Sequence, residues 1–188
     1  MNLAYLETGF RRKLWLIRGL FLKLYLLLHG CNVGKNLLCK QWPIFRYIPD
    51  KNYEIGNYVI IGYRITFEAD NHGKIVLKEN VYLTQDILIS SRSQVCLEEY
   101  VSIAEFVSIR DHDHSLKKGV FLPFQIHNSE PILIKKGCGI LRGASVYRGV
   151  VIEEGAIIGS ECILMRNFKS VPDGIYFGNP PKLIGKRS

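Results

Sequence analysis

Cysteine spacings typical of metal sites or redox motifs are missing from this sequence. None of its five cysteines forms a CxxC motif, and no histidine stands at zinc-ligand spacing from them. The odd count also argues against a disulfide framework, which needs cysteines in pairs. We therefore expect reduced thiols in a cytoplasmic protein, with no metal bound. The five are Cys31, Cys39, Cys96, Cys138 and Cys162.

A long uninterrupted apolar run is also missing, although residues 10–29 come near to one. Arg18 and Lys23 break this run and no small-residue cleavage site follows, so neither a signal peptide nor a membrane-spanning helix is expected. The spacing instead predicts an amphipathic helix within residues 1–30. Its basic side would carry Arg11, Arg18 and Lys23, and its apolar side Leu14, Ile17, Phe21, Leu24 and Leu28. Two alternatives stay open: peripheral contact with the inner face of an anionic membrane, or packing on the same domain or a neighbouring subunit.

Acidic residues are in the minority, since 17 Asp and Glu stand against 25 Lys and Arg and the formal net charge is +8. This balance suits an anionic ligand, a nucleic acid or an acidic membrane surface. No nucleic-acid recognition motif and no alternation of aromatic and basic residues is present, so no nucleic-acid partner is expected. The 188 residues, of which 47% are hydrophobic, fit one globular domain.

What the sequence does contain is a six-residue period. Aliphatic residues occupy six consecutive positions of this period: Ile134, Ile140, Val146, Ile152, Ile158 and Leu164. Four positions after each stand Cys138, Ala144, Val150, Ala156, Cys162 and Phe168, most of them small or β-branched. The period matches neither an α-helix nor a hairpin, but it fits a triangular coil in which each hexapeptide supplies one strand and one corner. The aliphatic side chains would point inward and stack from coil to coil, which builds a continuous core.

The same frame runs through the first half of the chain. Its aliphatic positions are Ile55, Ile61, Leu77, Leu83 and Ile89, and after a slip of two residues Leu97, Ile103 and Ile109. They are accompanied by Val59, Ile65, Val81, Ile87, Ser93, Val101 and Val107. Val33 with Leu37 forms an outlying piece of the series. We therefore predict an all-β fold, a parallel β-helix over residues 31–170.

Two segments break the period. Residues 110–131 contain three of the five histidines, and a long excursion from a rigid scaffold is typical of a functional loop. Residues 171–188 are rich in turn-forming proline and glycine and are expected to form a C-terminal cap. The predicted organisation is thus a helical segment at 1–30, the β-helix with its inserted loop, and the cap.

The repeats resemble those of the hexapeptide-repeat acyltransferases, whose unit is [LIV]-[GAED]-x-x-[STAV]-x. Matching units here include IGYRIT, LEEYVS, IEEGAI and IGSECI. The segment VSIRDHDH is similar to the loop that carries the catalytic histidine in sugar and maltose O-acetyltransferases, and the ending VPDGIYFGNPPKLIGKR resembles that of the family. The resemblance covers residues 55–187. It implies a left-handed β-helix, acetyl-CoA as donor and a homotrimer with active sites between subunits.

The resemblance also implies that His112 is the catalytic base. Acetyl transfer to a hydroxyl needs a base near the attacking oxygen, and the ordinary pKa of histidine suits that task. His114 is the rival for this role, and Asp111 or Asp113 would orient the imidazole. No cysteine or serine stands in a nucleophile motif, so direct transfer in a ternary complex is expected, with no acyl-enzyme.

Ligand-binding positions follow in the same way. Family contacts to the donor correspond to Leu141, Arg142, Gly143, Gly159, Ser160, Met165 and Arg166, with an amide near Arg142 as the oxyanion donor. Lys182 is a further candidate because the donor carries several phosphates. The acceptor would contact Thr84, Gln85 and Asp86. His72 and His127 are interpreted as structural or surface residues.

Together these features predict an acetyl-CoA-dependent acetyltransferase that acts on a saccharide hydroxyl, in surface polysaccharide or capsule biosynthesis. Two alternatives stay open. One is N-acetylation of an amino-sugar nucleotide, and the other is a non-catalytic or metal-binding β-helix. A zinc site is not expected, because such a site in a β-helix needs histidines that converge from adjacent subunits, whereas these cluster in one loop.

Overall fold

The computed structural model describes residues 3–188, with side chains from Gly9 onward. Helix α1 spans Leu3–Leu28 and precedes a series of short strands. Three parallel sheets stack these strands into a β-helix of about seven turns, which confirms the fold predicted from the six-residue period. Each sheet forms one face of the triangular coil, and the chain visits the three faces in a fixed order.

The strands alternate regularly among the faces. The first face holds β1 (Asn32–Val33), β4 (Tyr53–Ile55), β7 (Lys74–Leu77), β10 (Gln94–Leu97), β15 (Ile132–Ile134) and β18 (Val151–Ile152). The second face holds β2 (Leu38–Cys39), β5 (Ile60–Tyr63), β8 (Tyr82–Gln85), β11 (Ser102–Ile103), β16 (Gly139–Ile140), β19 (Ile157–Ile158), β21 (Gly174–Phe177) and β22 (Lys182–Lys186). The third face holds β3 (Ile44–Phe45), β6 (Thr66–Ala69), β9 (Leu88–Ser91), β12 (Ser108–Arg110), β17 (Ser145–Tyr147) and β20 (Ile163–Leu164). A separate hairpin consists of β13 (His112–His114) and β14 (His127–Ser129), and a 3-10 helix covers Leu122–Phe124.

The aliphatic positions of the period form the core. Ile134 stacks on Ile152 across the first face, and Val146 stacks on Leu164 across the third. All the predicted inward positions from Ile55 to Leu164 are at most 5% exposed. The outlying piece belongs to the same core, because Val33 pairs with Ile55 and so opens the first coil. Each repeat packs against equivalent residues of the neighbouring coils, so a short repeated pattern is enough to specify the fold.

The coils differ in length at only one of their corners. We call the corner between the third and first faces the loop corner; it comprises residues 46–52, 70–73, 92–93, 111–131 and 148–150, and the residues from 165 onward that follow the last strand of the third face. Across this corner, the sequence spacing between successive inward residues varies. Leu77 follows Phe67, and Ile134 follows Ile109, at more than six residues, whereas Ile152 follows Val146 at the regular spacing. The predicted slip of two residues after Ile89 is one of these insertions. The excursion at 110–131 is thus the longest of several insertions at this corner. The six-residue period of aliphatic residues did not reveal them as a series, because the inward position before one of them is held by the aromatic ring of Phe67.

Helix α1 covers the open end of the first coil. Leu22 and Leu26 are fully buried against it, and a side chain at Gly19 would collide with the carbonyl of Leu37. Arg18 donates to the carbonyl of Lys40, and the Nζ of Lys23 donates to the carbonyl of Gly34 at 2.9 Å. The helix therefore packs on its own domain through the side that carries these two basic residues. The apolar side expected from the sequence points away from the β-helix.

Neither α1 nor any other helix in the described residues combines the length and hydropathy needed to span a bilayer. At the opposite end, the cap continues the second face. Strand β21 pairs in parallel with β19, and β22 folds back antiparallel on β21. The ring of Tyr176 is 5% exposed and its hydroxyl accepts a hydrogen bond from the amide of Val171 at 2.8 Å, which closes the core.

Candidate functional site

The excursion at the loop corner is an ordered hairpin. Its two strands pair so that His112 lies opposite Ser129 and His114 lies opposite His127. The base of the hairpin is closed by a hydrogen bond of 2.9 Å from the Glu130 amide to the Asp111 carbonyl. Further out, the buried side chain of Gln125 bonds to Ser115, Lys117 and Val120. The Gln125 bonds hold the outer part of the hairpin together, and the bond between Glu130 and Asp111 closes it where it joins the β-helix.

Asp111 holds the ring of His112. Its carboxylate is completely buried and lies 3.1 Å from the Nδ1 of His112, which is itself 3% exposed. The same carboxylate accepts hydrogen bonds from the Ser91 hydroxyl at 2.7 Å and from the amides of Arg92 and Ser93 at 2.8 and 2.9 Å. An ionised carboxylate only accepts, so Nδ1 is the nitrogen that carries a proton, and in the neutral imidazole the lone pair is then on Nε2.

Burial alone would raise the pKa of Asp111, but hydrogen bonds to His112, Arg92, Ser91 and Ser93 together outweigh burial and hold this pKa below its usual range. The carboxylate therefore stays ionised at neutral pH. Of the two aspartates considered for orienting the imidazole, Asp111 does so. Asp113 instead accepts a hydrogen bond from the Nε of Arg148 at 2.7 Å.

His114 and His127 form a second group beside this pair. The ring centroids of His114 and His127 are 4.4 Å apart, and those of His112 and His127 are 5.4 Å apart. Partial burial lowers the pKa of His127, and the nearby positive charge of Arg92 lowers it further. His127 was interpreted as a structural or surface residue, yet it contacts both histidines of β13. The antiparallel pairing of β13 with β14 brings His127 there, so this contact could not be predicted from its position in the sequence.

Two arginines fasten the hairpin to the coil below. Arg148 contacts Asp113 through Nε and Glu130 through Nη1, the latter at 2.5 Å, so it joins both strands of the hairpin. Arg166 donates from Nε to the other oxygen of Glu130 at 2.9 Å. Sequence reasoning missed Arg148 and assigned Arg166 to the donor. Their common partner Glu130 lies just after β14, where no repeat pattern marks it.

The predicted donor-binding residues are divided between two corners. We call the corner between the second and third faces the turn corner; it comprises residues 40–43, 64–65, 86–87, 104–107, 141–144 and 159–162. Leu141, Arg142, Gly143, Gly159 and Ser160 lie there, whereas Met165 and Arg166 lie at the loop corner and Lys182 begins β22. The amides of Leu141 and Gly143 already donate to the carbonyls of Ile158 and Glu105, at 2.8 and 3.0 Å. Arg142 is exposed and close to Glu105 and Glu161.

The predicted acceptor-binding residues lie at the turn corner or at the strand end that leads into it. Thr84 and Gln85 end β8, and Asp86 forms a two-point ion pair with Arg64, at 2.5 and 2.6 Å. Within one chain the strands of the third face separate these residues from His112. The residues that do share the loop corner with His112 include Asp70 and Arg92, whose charged groups are 3.7 Å apart. A cleft of about 190 Å³ on the same edge is lined by Tyr47, Asp70, Asn71 and His72.

The cysteines offer no nucleophile at this site. Burial raises the pKa of Cys39 to about 11 and that of Cys138 to about 12, so these thiols stay protonated at neutral pH. Burial also raises the pKa of Cys96 and Cys162. Among the side chains that the structure describes, from Gly9 onward, no group of three or more histidine, cysteine, aspartate or glutamate residues is arranged to hold a metal ion.

No protein-family model and no curated protein sequence matches this chain. Solved structures do match. The N-acyltransferase AntD from Bacillus cereus, in complex with dTDP and coenzyme A, superposes with a TM-score of 0.72 at 17% identity, covering 86% of this chain and 88% of that one. The hexapeptide-repeat acetyltransferase VCA0836 from Vibrio cholerae, complexed with acetyl-coenzyme A, gives 0.64 at 15% identity, covering 72% and 70%.

A maltose O-acetyltransferase from Clostridium difficile gives a TM-score of 0.58 at 18% identity, covering 84% of this chain and 70% of that one. The chain thus has the fold of the hexapeptide-repeat acyltransferases. The similar proteins include one N-acyltransferase and one O-acetyltransferase, so the fold is shared by enzymes that differ in the atom they acylate.

Proposed function

We propose that this protein is an acetyl-CoA-dependent acetyltransferase that acts on a saccharide hydroxyl, in the biosynthesis of a surface polysaccharide. The observation that carries the proposal is the buried Asp111–His112 pair at the root of the hairpin, on a fold whose similar structures hold coenzyme A or acetyl-coenzyme A. A histidine oriented by a buried carboxylate is suited to general-base catalysis. The net charge of +8 suits a donor that carries several phosphates.

In the proposed reaction, the Nε2 of His112 removes the proton from the acceptor hydroxyl while the oxygen attacks the thioester carbonyl of acetyl-CoA. The resulting tetrahedral oxyanion collapses, breaks the carbon–sulfur bond and releases CoA, whose sulfur takes the proton back from His112. Asp111 keeps Nδ1 protonated and stabilises the transient imidazolium. No acyl-enzyme is needed, which agrees with the buried, protonated thiols of Cys39 and Cys138.

We further propose a homotrimer in which the loop corner of one chain faces the turn corner of its neighbour. A donor bound along Leu141 to Gly143 and Gly159 to Ser160 could then meet the His112 of the adjacent chain. The tip of the excursion supports this arrangement, because Phe121 and Phe124 are 80% and 78% exposed and would be covered by a neighbour. Sedimentation should give a mass near three times 21.5 kDa, whereas a fully active monomer would contradict the shared site.

Transfer to an amine is the second candidate. AntD was solved with dTDP-4-amino-4,6-dideoxyglucose and coenzyme A, so this fold accepts an amino-sugar nucleotide. The same base could take the proton of an attacking amine, so the site geometry suits either nucleophile. In this second reading Thr84, Gln85 and Asp86 of the neighbouring turn corner would contact the nucleotide sugar.

One assay tests the proposal and separates the two candidates. Acetyl-CoA consumption would be measured with neutral sugars and oligosaccharides in one series and with amino-sugar nucleotides in another. An O-acetyl product loses its acetyl group in mild alkali, whereas an N-acetyl product keeps it. Turnover only with amino sugars and an alkali-stable product would replace the first proposal by the second. Acetyl-CoA that neither binds nor turns over would contradict both.

A further inference from the structure

The exposed side of α1 is apolar over its whole C-terminal half. From Leu14 to Leu28 every exposed side chain of the helix is hydrophobic. These residues are Leu14, Leu16, Ile17, Leu20, Phe21, Leu24, Leu27 and Leu28, and they are 40% to 86% exposed. At 3.6 residues per turn they lie on the side opposite to the buried Leu22 and Leu26. So many contiguous apolar residues on a solvent-exposed surface are typical of an interaction site.

The charged residues of the same stretch point the other way. Arg18 and Lys23 donate to main-chain carbonyls of the first coil, namely those of Lys40 and Gly34. An ordinary surface helix turns its charges to water and its leucines to the core. Here Leu22 and Leu26 already pack on the first coil beside these two charges, so the outer apolar side of α1 is not needed for that packing. Within the described residues, nothing covers the outer side.

The surrounding charge favours an anionic lipid surface as its cover. The stretch from residue 8 to residue 49 contains no aspartate or glutamate, but it contains eight lysines and arginines. Arg12 and Lys13 are exposed and immediately precede the apolar stretch. Basic residues beside an apolar helix side are attracted to acidic headgroups while the apolar side enters the headgroup–acyl boundary.

The position of α1 favours a flat partner. The helix contacts β1 and β2 of the first coil, so its outer side is the end surface of the β-helix. Neighbours that pack side by side would cover the faces and corners of the solenoid and leave this end free. Trp42 and Ile44 of the first coil are also exposed, and the Trp42 ring lies 5.5 Å from Tyr25 of α1, which adds an aromatic rim suited to the membrane interface.

We propose that α1 lies in the plane of a bilayer that contains anionic lipids, with its outer apolar side inserted into the interface. The helix does not span, in keeping with its interrupting charges. In this orientation the third face rises from the membrane, and β12, next to His112, stands three strand spacings above β3. Since strands lie about 4.8 Å apart, His112 would be about 15 Å above the first coil. The docking itself does not depend on the proposed acetyl transfer.

Vesicle flotation with the full chain tests this inference. We expect the protein to float with vesicles of phosphatidylcholine and phosphatidylglycerol, and to bind at least tenfold more weakly to phosphatidylcholine alone or in high salt. The double substitution Phe21→Glu and Leu24→Glu should lower binding to the anionic vesicles at least tenfold. Ile184→Glu is the matched control, since Ile184 is similarly exposed but lies at the opposite end of the β-helix, and it should bind as the unchanged protein does.

Thermal melting of the double variant distinguishes a loss of vesicle binding from a loss of folding. Phe21 and Leu24 are exposed, so the double variant should melt within a few degrees of the unchanged protein; if it does not fold, Phe21→Gln with Leu24→Gln replaces it. The proposal is overturned if the unchanged protein does not float with anionic vesicles, or if the double variant floats equally well. A second copy of the chain would be the true partner if sedimentation showed an assembly that the double substitution halves, without any vesicle binding.

Discussion

The two corners that border the third face hold their side chains in different ways. At the loop corner, Asp111 and His112 are buried; Asp111 accepts hydrogen bonds from the preceding coil and in turn holds the ring of His112. At the turn corner, Arg142 is 59% exposed and makes only long contacts, of 3.7 and 4.0 Å, with Glu105 and Glu161. The difference suggests a division of labour. Groups that move protons need fixed geometry, whereas groups that meet a large anionic ligand can stay in water until it binds.

The largest effect is expected at the loop corner, where the side chains are held in place. His112→Ala should lower kcat by a factor of about 10² to 10⁴, because a positioned base is lost. The KM for acetyl-CoA should change little, since His112 is not assigned to donor binding. Steady-state kinetics on the variant and on the control His114→Ala check this. Loss of turnover in the control alone would move the base to His114 and make the proposed site wrong by two residues.

Asp111→Asn should have the second-largest effect, and it should lower both activity and stability. We expect kcat to fall about tenfold to a hundredfold, because the imidazole loses its orienting carboxylate. The unfolding free energy should fall by about 1–3 kcal/mol, as is usual when a buried hydrogen-bonding group is mismatched. Urea unfolding followed by circular dichroism, alongside the kinetics, measures both effects. An active variant of unchanged stability would remove the distinction between the corners.

The same variant has a pH signature. The pKa of Asp111 is depressed in the folded chain, so its ionised form stabilises the fold above the unfolded pKa of about 3.9. This stabilisation is lost as the pH falls through the lower, folded pKa. The stability difference between the unchanged protein and Asp111→Asn should therefore be constant near neutrality and shrink below pH of about 4. Urea midpoints across this range provide the measurement.

Arg148→Met should have a smaller effect that is confined to catalysis. Removing the guanidinium releases Asp113 and one oxygen of Glu130, and the hairpin that carries His112 then keeps only its ion pair with Arg166. We expect kcat to fall roughly tenfold while the KM for acetyl-CoA stays constant. Arg46→Met is the matched control, since its ion pair with Glu68 lies at the helix-capped end. Equal losses in both variants would indicate a general effect on the fold.

The smallest effect should come from the exposed arginine of the turn corner. Arg142→Ala should weaken CoA binding about twofold to fivefold, as expected for an exposed charge pair. The melting temperature should rise with CoA in the unchanged protein and rise less in this variant, because a ligand that binds only the folded state stabilises it by mass action. Thermal shift titrations measure this. A larger loss than that of His112→Ala would reverse the ranking of the two corners.

Much of the β-helix could be predicted from the sequence because each repeat meets the same environment. Ile134, Ile140 and Val146 show the period directly, since one inward side chain per hexapeptide must stack on its equivalent in the next coil. The irregular coils were harder to read. Phe45 and Phe67 occupy inward positions, and the insertions after them shift the frame. The period alone could not distinguish an insertion from the end of the repeats.

The local pair Asp111–His112 was visible in the sequence because the two residues are adjacent, whereas its surroundings were not. Ser91 and Arg92 come from the preceding coil, and His127 arrives by antiparallel pairing across the hairpin. For α1, the sequence determined that charged and apolar residues occupy different sides, since this depends only on helical geometry. Tertiary structure decided which side faces the protein, because the first coil leaves main-chain carbonyls at Gly34 and Lys40 that Arg18 and Lys23 can reach. Periodicity depends on the chain alone, but the partners of a side chain depend on which distant segments the fold places beside it.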